Sequence, residues 1–187
     1  MRKGINPTAT LRPSKARIRD SFERAAPTYD GAADIQRRIC TQLAAGLPDI
    51  APARLLDAGC GTGFAQDDLQ ARFPNAHSVA LDLSPAMLDR VAAPCCRVSS
   101  DLEHLPLADA SLDLYWSSLA VQWCDLGTSL REAHRALRPN GLVALASLGP
   151  ATFHELRHAF ADVDDYRHTL SFHSENEIRK IAVNQGF

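Results

Sequence analysis

Apolar positions change their spacing near residue 54, and the change divides the chain in two. Before it, Ile18, Phe22 and Ala25 or Ala26 recur at helical intervals from Ser14, and Pro27 closes the run. Ala32, Ile35, Ile39 and Leu43 repeat the pattern over residues 28–45. Residues 1–13, with Gly4, Pro7 and Pro13, have little periodicity and read as a lead-in. After residue 54, short apolar runs alternate with helical stretches. Strands are expected at 54–58, 78–83, 97–99, 112–118 and 142–147, and helices near 63–73, 84–92 and 126–137. A helix near 152–163, a polar stretch with Arg167 and His168, and a helix over 174–184 follow. The alternation predicts a doubly wound, mainly parallel α/β sheet. Residues 1–46 read as an arm with two helices, and 47–187 as one domain. Ser84 before Pro85 marks a helix start, and Arg138-Pro139-Asn140-Gly141 marks the turn into the last strand.

Composition narrows the class of protein. With 45% hydrophobic and 22% charged residues among 187, the chain has enough apolar side chains for a core. Its apolar runs are too short to cross a bilayer as a helix. The five cysteines (Cys40, Cys60, Cys95, Cys96, Cys124) are odd in number and form no C-x-x-C pair, which fits a reducing cytoplasm. The histidines lack metal-ligand spacing, so no metal is expected. A net charge of -2 gives no general pull toward nucleic acid or membrane surfaces. The charge is unevenly placed: six of the 20 basic residues and none of the 22 acidic ones lie in residues 1–19. A transit peptide would be Arg-rich and acid-poor in this way, but Asp20 and Glu23 follow within the same helix.

The chemistry concentrates where the first strand turns into the first helix of the α/β part. Asp57-Ala58-Gly59-Cys60-Gly61-Thr62-Gly63 sets three alternate glycines there, allowing positive φ and close approach of a ligand to backbone N–H groups. A dinucleotide loop would need a small third residue where this chain has Phe64. Asp57 precedes the loop and Asp82 ends the second strand, where a carboxylate can accept from both hydroxyls of a ribose.

This combination resembles the class I S-adenosylmethionine-dependent methyltransferases. The resemblance implies that the D-x-G-x-G-x-G segment, Asp57, Gly59, Gly61 and Gly63, holds the methionine part of S-adenosyl-L-methionine. It implies that Asp82 and its neighbour Leu83 hold the ribose, and that Asp101 and Leu102 contact the adenine. Met87 and Ser117 complete the implied cofactor set.

Three further segments are similar to the malonyl-acyl-carrier-protein O-methyltransferases of biotin synthesis. They are residues 22–30 with Ala33, Gln36 and Arg37, residues 117–124, and residues 148–157 with Phe160, Asp164, His168 and Phe172. That family methylates the free carboxyl of a malonyl thioester, carried on acyl-carrier protein or coenzyme A, and uses the N-terminal helices as a lid. On this likeness Tyr29 is expected to close over the site, with Gln122 and Trp123 facing the transfer cleft. A planar guanidinium suits a carboxylate, so Arg157 is the first candidate for the malonyl group, with Arg167 and His168 next. Lys15, Arg17 and Arg19 would steer an acidic carrier protein. The likeness also implies a C-terminal strand pair beyond Phe187; without it the fifth strand would be an exposed edge, open to pairing in a homodimer. Alternatives are a methyltransferase for another small carboxylic acid, such as the trans-aconitate enzymes, and a non-catalytic assembly or regulatory relative.

Overall fold

A computed structural model describes residues 12–161, 163 and 168–187. Five strands form one parallel sheet: β1 (Arg54–Ala58), β2 (His77–Asp82), β3 (Cys96–Ser99), β4 (Leu112–Ser118) and β5 (Leu137–Ala146). Their order is β3-β2-β1-β4-β5. The chain steps outward from β1 to β3, then crosses back to the other side of β1. This reversal opens a crevice beyond the carboxyl ends of β1 and β4, where open parallel sheets bind ligands.

The sheet is covered on both faces, which is why its strands read as near-continuous apolar runs. On one face Leu55, Leu114 and Trp116 pack with Cys40 of α2 (Asp34–Ala45) and with Ala65 and Leu69 of α3 (Phe64–Arg72). On the other, Leu56 and Tyr115 cluster with Ala133 and Ala136 of α5 (Leu126–Ala136). Asp113 in β4 accepts from the backbone N–H groups of Ala53 and Arg54 at 2.7 and 2.8 Å, tying the entry of β1 to its neighbour. The last helix, α7 (Glu175–Asn184), starts on a capping box of Ser174 and Glu177. Its Ile178, Ile181 and Ala182 pack on the cluster of Val121, Leu126 and Leu130, against which Val143 and Leu145 of β5, the outer strand, also pack.

The expected elements are present with shifted ends. The second helical stretch begins as a 3-10 turn over Tyr29–Ala32 and becomes α2 only at Asp34, since Gly31 favours a break. Helix α4 is a single turn, Pro85–Leu88, rather than running to residue 92. Ser84 caps it as expected, but Pro94 disfavours helix at Ala93, and Val91 is drawn onto Gly63. The turn at Arg138–Gly141 exists as a bulge: Leu137 pairs with Leu112 and Leu142 with Leu114, with Asn140 at φ +66° between them. Helix α1 (Lys15–Ala25), capped by Ser14, lies outside the sheet, and α6 (His154–Phe160) is shorter than its expected span. Among the described residues no helix is long and apolar enough to cross a membrane.

Candidate active site

The loop from β1 to α3 is shaped by backbone. Gly59 and Cys60 both donate to the Leu81 carbonyl, at 2.7 and 3.0 Å, which draws the loop toward the end of β2. Gly59 sits at φ +76°, and a Cβ there would come within 2.2 Å of the Ala120 Cβ. Only glycine fits. Gly61, also at positive φ, lies under the Tyr29 ring.

Two carboxylates flank this loop. Asp57 is 2% exposed, and Gln66 of α3 donates to it at 2.9 Å while accepting from Ser78 at 2.7 Å. Burial pushes the Asp57 carboxyl up to about 7, with the Gln66 bond opposing and the Asp82 charge adding. A buried acid with a single neutral donor is a place where a cation would be held. Asp82 accepts from Gly61 N–H at 2.9 Å and Ser84 N–H at 2.8 Å, joining the glycine loop to α4. Burial raises its pKa too, while the backbone donors hold it down. The backbone donors engage both of its oxygens, whose remaining lone pairs suit hydroxyl donors.

These groups open onto a cavity of about 890 Å³. Asp57, Gly59, Gly61, Asp82, Leu83, Met87, Asp101 and Leu102 lie on its wall, as do Tyr29, Gln122, Trp123 and His168. The volume is near the upper end for small-molecule sites, leaving room for two ligands. Ile18, Phe22, Leu148, Phe153 and Leu156 add apolar side chains to its wall.

Three candidates fall elsewhere, and one is not described. Gly63 is off the wall, because it begins α3 and packs against Val91. Ser117 is fully buried in β4 and donates to the Ala58 carbonyl at 2.7 Å, a strand-to-strand bond. Arg157 donates to the carbonyls of Thr152 and Pro150 at 2.5 and 2.7 Å, so its guanidinium staples its own loop instead of reaching the cavity. Arg167 lies outside the described residues. The His168 ring lies tilted against Phe160, with centroids 4.1 Å apart.

Helix α1 and the 3-10 turn roof the cavity. Phe22 meets Trp123 edge-on at 5.6 Å, and Tyr29 stacks on Phe64 at 6.0 Å, with the Arg37 guanidinium 4.1 Å above that same ring. Thr62 of the glycine loop donates to Asp30 at 2.7 Å. Lys15 corrects its expected role as a free surface charge: its ammonium lies 2.8 Å from Asp101 and 2.6 Å from Glu103. Burial works against the charge, but hydrogen bonds to both acids outweigh it and raise the Lys15 pKa. Asp101, Glu103 and Cys124 also place possible metal-ligand atoms within 4.8 Å of one another, and the ammonium is within 3.5 Å of each.

Sequence reasoning missed Asp30, Gln66 and Glu103 as site residues and gave Lys15 a different role. Gln66 alone left a signal, being a polar residue on the core face of α3 beside Ala65 and Leu69, where an amide needs partners.

Comparison with known proteins agrees with this geometry. Residues 56–145 match the family model of a methyltransferase domain. The chain is 78% identical over 186 residues to a malonyl-acyl-carrier-protein O-methyltransferase of Dechloromonas aromatica, covering all of this chain and 71% of that protein. It is 44% identical to the enzyme of that name from Laribacter hongkongensis, covering 96% of this chain and 66% of the relative. The chain thus spans about two thirds of the length of these relatives. A crystal structure of a SAM-dependent methyltransferase from Thermotoga maritima superposes with a TM-score of 0.71 at 20% identity, covering 91% of this chain and 81% of that one, which shows the fold. Fold and family are those expected from the sequence: this is a Rossmann-like class I methyltransferase domain, and the chain belongs to the malonyl-acyl-carrier-protein O-methyltransferase family.

Proposed function

We propose that the chain transfers a methyl group from S-adenosyl-L-methionine to the free carboxyl of malonyl-acyl-carrier protein, or of malonyl-coenzyme A, in biotin synthesis. One observation carries the reading: the glycine loop, the buried Asp57 and the half-buried Asp82 share a single cavity with the apolar side chains of Ile18 and Phe22 from α1.

When bound, the cofactor supplies a methyl group made electrophilic by its sulfonium. Asp57 would hold the amino group, Asp82 the ribose hydroxyls, and Asp101 the adenine amino group, with Met87 and Leu102 against the ring system. The nucleophile needs no base, because a malonyl carboxylate is already ionised at neutral pH. What the protein must supply is alignment and exclusion of water. A cation and an anion become neutral products, so charge falls along the reaction path, and the apolar wall of Ile18, Phe22 and Trp123 favours that change. Tyr29 and Gln122 are positioning groups in this reading. Gln122 donates to the Leu119 carbonyl at 2.7 Å, which fixes its amide. With the Arg157 guanidinium held by its own loop, Arg167 and His168 remain the candidates for the substrate carboxylate. Release of S-adenosylhomocysteine should require malonyl-carrier protein and be absent with acetyl-carrier protein; equal release from both would sink the carboxyl reading.

The carrier would approach over α1. Arg17 and Arg19 are exposed there, Arg19 being paired with Glu23 at 2.8 Å. Changing both to Gln is expected to raise KM for malonyl-carrier protein about fivefold at low salt, leaving kcat and the coenzyme A substrate unchanged. A parallel loss with both substrates would show that the arginines act on the fold instead of the carrier.

A further inference from the structure

Lys15 is badly placed for its own helix. It is the first residue of α1, where the helix dipole disfavours a cation, and the first turn contains no acid. Its compensation comes from across the chain. The ammonium bridges Asp101 and Glu103, in the loop after β3, and lies 3.5 Å from the Cys124 sulfur. Both acids are also tied to backbone: Asp101 Oδ1 accepts from Glu103 N–H at 3.0 Å, and Glu103 Oε1 accepts from Asp125 N–H, at the start of α5, at 2.8 Å. Asp101 Oδ1 therefore carries both of that carboxylate's bonds. Oδ2 accepts none from the described residues, although Asp101 lies on the cavity wall.

We propose that Lys15 is a positioning residue that couples the lid to cofactor recognition, holding one oxygen of Asp101 from α1 while leaving the other for the 6-amino group of the adenine. The proposal rests on reading the cleft as an adenosyl site. Its consequence reaches the other substrate. Ile18 and Phe22 sit on the same helix, one and two turns beyond Lys15, and wall the apolar compartment. A lid seated through Lys15 over a filled adenine site completes that compartment. A lifted lid leaves Asp101 and Glu103 as adjacent carboxylates without the Lys15 counter-charge, so seating the lid and filling the adenine site favour one another. Cofactor binding then precedes productive binding of the malonyl thioester.

The test uses the intact chain with S-adenosylhomocysteine as the probe, read by calorimetry and by chymotrypsin cleavage after Phe22. In the wild type the probe should slow that cleavage. Lys15→Met should weaken probe binding about tenfold. It should also abolish the protection even at saturating probe, a readout that mere loss of helix stability would not tie to ligand. Lys15→Arg should restore most of the protection, and Arg24→Met, an exposed cation on the same helix, should change neither quantity. If Lys15→Met does not fold, Glu103→Gln, which removes one counter-charge and keeps an acceptor for Asp125 N–H, should shift both readouts in the same direction by a smaller factor. Wild-type affinity and protection in either folded variant would overturn the proposal while leaving the adenosyl site standing. Failure of the wild type to bind the probe would remove the adenosyl reading itself, and the coupling with it.

Discussion

Gly59→Ala is expected to lower the stability of the ligand-free protein by about 2–5 kcal/mol and to weaken S-adenosylhomocysteine binding more than a hundredfold. Two costs add. An alanine held at φ +76° bears left-handed strain of ~1–2 kcal/mol. Its Cβ would also sit 2.2 Å from that of Ala120, an overpacking worth ~1–3 kcal/mol even when neighbours yield. Relief by moving the loop would break the bonds from Gly59 and Cys60 to Leu81 and lift Gly61 from Asp82, dismantling the proposed cofactor cradle. The costs separate experimentally. Adding Ala120→Gly removes the contact but not the strain, so the double variant should recover part of the denaturation midpoint. A single variant that binds like the wild type would show that the ligand does not rely on this loop.

Asp57 gives the second large effect, and its sign follows from burial. The carboxyl moves from an ordinary value of 3.8 to about 7 in the folded chain, so folding disfavours its ionised form. Its penalty is absent below about pH 4, grows through the interval, and is complete above about pH 7, at no more than ~4 kcal/mol. Asp57→Asn removes the ionisation and should stabilise the ligand-free protein at pH 8 but scarcely at pH 4. Ligand binding should behave oppositely. The amino group of S-adenosylhomocysteine needs the carboxylate, so wild-type affinity should rise about tenfold between pH 6 and pH 8, with a proton released. The variant should bind weakly at both. Melting temperatures and calorimetry at three pH values check this, and parallel pH profiles for the two proteins would contradict it.

These effects could be anticipated because the relevant residues sit at fixed offsets from strand ends. A parallel sheet buried on both faces writes long apolar runs, and glycines alternating after such a run mark a backbone approached by a ligand; Asp57, Gly59 and Asp82 follow from that logic. Element ends were less legible, since they depend on distant packing. Helix α4 stops early where Val91 leans on Gly63. Lys15 was misread because its partners are 86 and 88 residues away, while its sequence neighbours suggest only a basic surface. Arg157 erred in the opposite direction: its partners, Pro150 and Thr152, are close in sequence, but only the folded loop turns their carbonyls toward it.

Methyl transfer to a malonyl carboxyl at the Gly59–Asp82 cleft leaves a methyl ester on the carrier. The most direct measurement incubates the protein with S-adenosyl-L-methionine carrying a labelled methyl group and malonyl-acyl-carrier protein, then treats the recovered carrier with mild base. Label is expected on the carrier, released by mild base as methanol, and none is expected with acetyl-acyl-carrier protein or with Gly59→Ala. Labelled cofactor that binds in the cleft without transferring label to the malonyl carrier, or label that survives base, would contradict methyl transfer to that carboxyl.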